Sequence, residues 1–369
     1  MVPIFLPGLW AAPQIVAALV PASESARSVQ LDDHALDQTD AGMPVLVAQA
    51  GAMVDGMLVE ISEAAFQHLT AVQAVFDAYP AQTALGDSNP QTKAHVFLGT
   101  PQHALRQDFA MSDRRAEILA AACAELLSLA QTHPPAALKA RWPMALSHAA
   151  SVQRGRSDPA PASLRRDWSR ADVKLVTPRQ PYAWYFGVRE DDLQFRRFDG
   201  QMSEEVKRAG FVMSDAVTVL PYDPRRDRVM VVEQFRYGPW LRGAPNPWSL
   251  EPIAGRVDPF ETPQEAVLRE AREETGLVLA ADKLLPVGNV YPSPGAITEF
   301  LFQFVALCDL PDGSEGVSGL EGEAEDIRSH VISFARLIEI VTTGEAQNGP
   351  LVLTAWWLAA HRAELQATQ

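Results

Sequence analysis

Cysteine is nearly missing: Cys123 and Cys308 are the whole supply, far apart and outside any CxxC spacing. That excludes a disulfide scaffold and a thiolate zinc site, and it suits a reducing compartment, so a cytoplasmic protein is expected. Basic residues are also short, 31 Lys and Arg against 46 Asp and Glu, for a formal net charge of -15. Nucleic acid is thereby excluded as a general partner. An anionic ligand would meet long-range repulsion, so its site needs local cations, either metal ions or placed arginines. No uninterrupted apolar run reaches bilayer-spanning length, and no membrane partner is expected. The apolar start, "MVPIFLPGLWAAPQIVAALV", has no Lys or Arg before Arg27 and is broken by Pro3, Pro7 and Pro13. It predicts a strand at 4–6, a turn and a short helix of a folded domain, not a signal peptide. Internal repeats and low-complexity tracts are lacking too.

What is present is ordinary for a globular chain: 47% hydrophobic and 21% charged residues over 369 positions. Such a chain buries a sizeable core, and its length favours two domains. Helical stretches at 112–131 and 136–153 close the first half. "RGRSDPAPASLRRDWSR" follows, rich in Pro, Ser and Arg without periodicity, and reads as a linker. The expected division is a first domain at 1–153, a linker at 154–165 and a second domain at 166–369. In the second half "DAVTVLPYD" and "RVMVVEQFRYG" predict strands joined by the turn "DPRRD", "WSLEPIAG" a further strand, and "LFQFVALCDL" another. "TPQEAVLREAREETG" predicts a helix capped by Thr262, with Pro263 in its first turn and Gly276 as its stop. "PLVLTAWWLAAHRAEL" predicts a closing amphipathic helix.

Glu270, Glu273 and Glu274 are related by i, i+3 and i+4, so that helix carries all three on one face. Uncompensated, they repel one another. A hard divalent cation resolves the conflict, because Mg2+ takes oxygen ligands and shares phosphate oxygens with a substrate. The bland alternative is a solvated acidic face. The surroundings favour the metal: Gly255, Glu261, Arg269, Glu270, Glu273, Glu274 and Gly276 match G-x(5)-E-x(7)-R-E-U-x-E-E-x-G-U at every fixed position, with Ala271 and Leu277 at the aliphatic places. This resembles the Nudix hydrolases. The resemblance implies an α/β/α sandwich, a loop-helix-loop that binds Mg2+ or Mn2+, and hydrolysis of a nucleoside diphosphate linked to another group. It implies Glu270 and Glu274 as metal ligands with Glu273 assisting, the carbonyl of Ala254 as a further ligand, and Arg269 holding the carboxylates in place. Phe260 departs from the family, where Gly often precedes the first Glu.

Further stretches, "FRRFDGQMSEEVKRAGF", "VVEQFRYGP", "PWSLEPIAG", "YPSPGAITEF" and "GEAEDIRSHVIS", in that order resemble the ADP-ribose pyrophosphatases, especially the tellurite-resistance type. The likeness implies cleavage of ADP-ribose to AMP and ribose 5-phosphate. Arg208 and Arg236 can supply cationic forks for a diphosphate, or be surface arginines. In "GEAEDI" it implies Glu323 as the base that takes a proton from water and Glu325 as a metal ligand. Glu251, on the strand entering the metal loop, is a supporting candidate, and Tyr185 or Phe186 could stack on adenine or simply pack in a core. Related enzymes work as dimers, so a homodimer is expected. A hydrolase of another nucleoside diphosphate sugar and a non-catalytic ADP-ribose sensor are the competing readings. The sensor is the weaker, since it need not keep the carboxylates.

In the first half, "IFLPGLWAAPQIVAALV" and "MPVLVAQAGAMVDGMLVEISEAAFQHL" resemble the γ-glutamylcyclotransferase-like fold, a small mixed barrel. "LPGL" stands where that family has its substrate turn, and Gln73 where it has its catalytic Glu. Gln cannot act as a carboxylate base, which implies a non-catalytic domain. The expected fold class is α+β in two domains, a γ-glutamylcyclotransferase-like barrel followed by a Nudix sandwich.

Overall fold

The computed structural model describes residues 1–20, 26–39, 43–85, 93–99, 112–159, 161–318 and 326–367. Glu323 and Glu325 therefore lie outside the described residues. The chain divides into two compact units: Met1–Arg166 with Tyr182–Gly187, and Asp167–Pro181 with Val188–Gln369. Among the described residues no helix is long and apolar enough to cross a membrane.

The first unit holds β1 (Val2–Pro7), α1 (Pro13–Leu19), β2 (Arg27–Gln38), β3 (Pro44–Ile61), α2 (Glu63–Val75), β4 (Tyr79–Ala84), β5 (Lys93–Leu98), α3 (Asp113–Leu129) and α4 (Pro135–Ser157). The sheet order is β2-β3-β1-β5-β4, and β3 also pairs with β5 at Leu46 and Leu98. β3 is long enough to do both, so β1, β3 and β5 close a ring. α4 runs to Ser157 instead of stopping at 153, with Arg154 buried past the expected end. Arg141, 1% exposed, donates through Nε (3.0 Å) and Nη2 (2.8 Å) to Glu125 Oε1 on α3. Its Nη1 donates to the carbonyl of Trp184 at 3.3 Å. Ala183, in β7 (Tyr182–Ala183), is buried in this unit's main core. Arg141 and the buried Ala183 thus help to fasten the 182–187 segment to the first unit.

In the second unit β8 (Gly187–Phe195) pairs with β6 (Val173–Thr177) and with β9 (Val206–Val212). The larger sheet comprises β10 (Ala216–Asp223), β11 (Arg228–Phe235), β12 (Trp248–Glu251), β13 (Ile253–Arg256), β14 (Leu284–Val290), β15 (Leu301–Leu307), β16 (Val317–Ser318) and β17 (Ile327–Ser333). Its main path is β14-β15-β10-β11-β17-β16, with β12 on β11 and β13 on β10. "WSLEPIAG" is two strands, where one was expected. Pro252 has no N–H to give a ladder, and the chain changes neighbours there. Alternation along β10 sends Val217 and Val219 to one face and Leu220 and Tyr222 to the other. The first face packs on Ala266, Val267 and Ala271 of α6 (Pro263–Thr275). The other packs on α7 (Phe334–Thr343) and α8 (Gly349–Ala367), through Leu337, Ile340, Leu351, Ala355 and Leu358. Helices thus cover both faces of a mixed sheet. α5 (Tyr237–Arg242) is a short helix between β11 and β12.

Candidate active site

α6 is delimited as its caps predict. The Thr262 hydroxyl accepts from the Glu265 N–H, the Glu265 carboxylate accepts from the Thr262 N–H, and Pro263 opens the helix. Gly276 closes it at φ 71, a conformation that disfavours any side chain. Between the caps the apolar residues turn to the sheet, and the glutamates line one side facing β13.

Gly255 explains how that side meets the strand. A Cβ built there would lie 1.9 Å from Cδ and from Oε1 of Glu270. Only glycine leaves room for this carboxylate against the backbone. One residue earlier, the Ala254 N–H donates to Oε2 of Glu274 at 3.3 Å, and Glu274 is 3% exposed. β13 itself is held antiparallel to β10, with Gly255 opposite Val217 and Ala254 opposite Thr218.

Arg269 binds three carboxylates. Nη1 donates to Glu270 Oε1 (2.7 Å) and Glu273 Oε2 (3.0 Å), while Nη2 and Nε donate to Glu261 at 2.7 and 3.3 Å. Nη2 also donates to the Arg256 carbonyl at 2.9 Å. Partial burial by itself would lower the pKa of this guanidinium, but Glu261 and Glu270 outweigh it and the group is raised. It is a permanent cation that partly offsets the crowding of the helix carboxylates. Asp258, whose N–H donates to Glu261 Oε1 at 2.7 Å, has its carboxyl raised, chiefly by burial.

All of these donors are hard oxygens, which suits Mg2+ or Mn2+ and not a thiophilic metal. The space a Cβ at Gly255 would fill is instead filled by a carboxylate, so the chain reserves that position for oxygen. Among the described residues no three His, Cys, Asp or Glu side chains converge as a ready ion cage. Arg269 draws Glu270 and Glu273 toward itself, and Glu274 turns to Ala254. The fit lies in donor type and placement.

Arg236, just past the end of β11, meets Glu251 at the end of β12. Nε donates to both Glu251 oxygens at 3.1 Å, and Nη2 to Oε2 at 2.7 Å. Glu251 is buried, so this Nε–Nη2 edge is committed to it. Arg208 sits exposed on β9, and its Nη1 donates to the Lys207 carbonyl at 2.9 Å. Phe186 belongs to the first unit, where its ring lies 5.4 Å from Tyr182 and 6.4 Å from Tyr185. Glu299 is a further carboxylate of this unit that the sequence motifs do not single out. Burial raises its carboxyl, the cations Arg256 and Arg236 oppose that, and Asp215 adds to it. Its signal in sequence was a carboxylate just after the "SPG" turn, whose following residues bridge to Phe211 of β9.

A family model described as the NUDIX domain matches residues 213–354. The chain is similar to the ADP-ribose pyrophosphatase of Escherichia coli (strain K12), 34% identical over 206 residues, covering 56% of this chain and 97% of that protein. It is 32% identical over 201 residues to the ADP-ribose pyrophosphatase of Haemophilus influenzae, covering 54% of this chain and 91% of that protein. It is also 30% identical over 174 residues to the GDP-mannose pyrophosphatase of Enterobacter sp. (strain 638), covering 47% and 88%.

Proposed function

The chain belongs to the Nudix family, and from that membership we propose that it hydrolyses ADP-ribose to AMP and ribose 5-phosphate with Mg2+ or Mn2+. It is a Nudix pyrophosphatase, a hydrolase of nucleoside diphosphate sugars. The observation that carries the reading is the seating of the α6 carboxylates on β13, with Gly255 giving way to Glu270. ADP-ribose is preferred because relatives 34% and 32% identical, matched over 97% and 91% of their own length, bear that name. A GDP-sugar is the second reading, favoured by the GDP-mannose relative.

Glu270 and Glu274, with Glu273 assisting and the Ala254 carbonyl, would hold the metal, and Glu325 would complete the set. When bound, the metal supplies neutralisation of the diphosphate and acidifies a water. Glu323 would take the proton as the water oxygen attacks one phosphorus and the bridging P–O bond breaks. Arg269 keeps Glu261, Glu270 and Glu273 in register, and Glu251 orients Arg236 toward the phosphates. The roles of Glu323 and Glu325 rest on the family resemblance of "GEAEDI". A homodimer is the proposed assembly, to be checked by light scattering.

For the first unit we propose a γ-glutamylcyclotransferase-like, non-catalytic domain. Gln73 is buried on α2 and lines a small cavity with Pro7, Trp10 and Phe97, where that chemistry would need a carboxylate. Release of 5-oxoproline from γ-glutamyl dipeptides, lost in Gln73→Ala, would overturn this part.

The test of the function is a phosphatase-coupled screen of ADP-ribose, nucleotide sugars and dinucleoside polyphosphates, with Glu274→Gln beside the wild type. Expected are preference for ADP-ribose and loss of nearly all turnover in a folded Glu274→Gln. Preference for a GDP- or UDP-sugar would replace the substrate and keep the chemistry. Tight ADP-ribose binding without cleavage would install the sensor reading.

A further inference from the structure

Three polar side chains are buried where α8 covers the large sheet. Thr218 on β10, Gln303 on β15 and Thr354 on α8 are 3%, 1% and 0% exposed. Among the described residues nothing donates to or accepts from Thr218 Oγ1, Gln303 Oε1 or Thr354 Oγ1. Buried polar atoms are normally satisfied by protein or by ordered water, and one left alone is destabilising.

The topology brings these three together. Thr218 is aligned with Gln303 in the parallel register of β10 and β15, so the two side chains are neighbours on one face. That face also carries Leu220 and Val305, which pack with α8. Thr354 lies on the covered side of α8, between Leu351 and Leu358 and beside Ala355. The register of helix on strand follows from the far end of α8. There Arg362 donates to both oxygens of Asp227, whose Oδ1 also accepts from the Tyr222 hydroxyl at 3.1 Å. α8 also packs on β12, which pairs with the end of β11 remote from Asp227. The helix therefore runs antiparallel to β10. From Arg362 back to Thr354 it rises about 12 Å, and from Tyr222 back to Thr218 the strand runs about 13 Å. Thr354 is thereby set over Thr218 and Gln303.

We propose that Thr218, Gln303 and Thr354 together form a binding site for one ordered water molecule inside this layer. The hydrogen bonds balance. Gln303 Oε1 only accepts, whereas each threonine hydroxyl both donates and accepts. One water donates to Gln303 and to one threonine and accepts from the other, making the roughly three bonds usual for a buried water. Room for it comes from side-chain size: Leu351 and Leu358 hold the helix off the sheet at a leucine's length, and Thr354 and Ala355 between them are short. An apolar molecule would leave the same three atoms unpaired, and an ion would be buried against three neutral groups. Thr218 is also opposite Ala254 of β13, so the water braces from behind the strand that meets the carboxylate helix.

Valine keeps the shape of threonine and removes its hydroxyl, which makes the test one of sign. Amide exchange across β10, β15 and α8 of the full chain in urea reads the unfolding of this unit. Thr218→Val and Thr354→Val should each raise its unfolding constant about tenfold. The double variant should exceed the worse single by less than about twofold, because one water is lost once. Raised or unchanged stability in either single variant overturns the proposal, since an unpaired hydroxyl is better removed. So do losses that multiply in the double variant, which mean separate local bonds. A crystal structure of the full chain should show one water within hydrogen-bond distance of Thr218 Oγ1, Gln303 Oε1 and Thr354 Oγ1. Threonine hydroxyls turned to backbone carbonyls, with no water between them, overturn it as well.

Discussion

At position 255 the choice of residue is fixed by a single distance. The 1.9 Å between a virtual Cβ and the Glu270 carboxyl leaves nothing for Gly255→Ala to do but push Glu270 off β13. The expected cost is about 1–3 kcal/mol of stability from overpacking. With Glu270 in the metal-holding role proposed for it, displacing its carboxylate by an ångström should lower turnover about a hundredfold. Urea unfolding and turnover at saturating Mg2+ measure the two, and near-normal turnover would remove Glu270 from the machinery. Arg236 and Glu251 act as one group, because three hydrogen bonds join them. Arg236→Ala and Glu251→Gln should each lower kcat/KM for ADP-ribose about tenfold to a hundredfold. Together they should lose little more than either alone, and additive losses would separate their roles. Arg236→Lys should restore only part, since an ammonium cannot span both oxygens. The spacing of Glu270, Glu273 and Glu274 made their shared face legible in sequence. That Arg236 turns its fork to Glu251 was not, because strand register alone brings those two positions together. Glu299 is illegible for a related reason: its cationic neighbours, Arg236 and Arg256, are distant from it in sequence.

The elements show where local rules sufficed. α6 begins and ends at its capping residues, and no tertiary information was needed to find it. "WSLEPIAG" needed it, because the exchange of partners at Pro252 depends on which strands lie alongside. The pairing of α3 with α4 was likewise invisible, since Glu125 and Arg141 are an ordinary charged pair until both are buried. Burial by itself would raise the Glu125 carboxyl, but His148 and Arg141 hold it down to about 2 from its ordinary 4.5. A carboxyl depressed in the folded state stabilises fully above 4.5 and loses that contribution as the pH falls from 4.5 toward 2. The amount is on the order of 3 kcal/mol. Chemical unfolding of the full chain between pH 2 and 6 should show this loss. Glu125→Gln should start lower, because Arg141 is left buried without its anion, and should fall less steeply with acid. Parallel curves would show that the pair does not titrate with folding.

For the whole molecule, two units were expected from length and from the Pro-, Ser- and Arg-rich stretch, and two compact units are found. Sequence order gave no sign that Tyr182–Gly187 packs with the first of them. Ala183 in the core and the Trp184 carbonyl on Arg141 predict the strength of that attachment. Arg141→Met should raise amide exchange across 182–187 by about tenfold or more while amides in α6 keep their protection. Unchanged exchange at 182–187 would mean that apolar packing alone retains the segment.

The interleaving of the two units has a consequence for how such a gene could arise or be rearranged. The polypeptide passes from one unit to the other after Arg166, again after Pro181 and once more after Gly187. No single cut in this chain therefore keeps every contact within each unit. A recombinant that joined codon 167 onward to a foreign partner would inherit Tyr182–Gly187 without the core that Ala183 enters. One that ended at codon 166 would leave Arg141 without the Trp184 carbonyl. The six-residue excursion is a stitch in this chain: a cut on either side of it parts Ala183 or the Trp184 carbonyl from the residues they pack with.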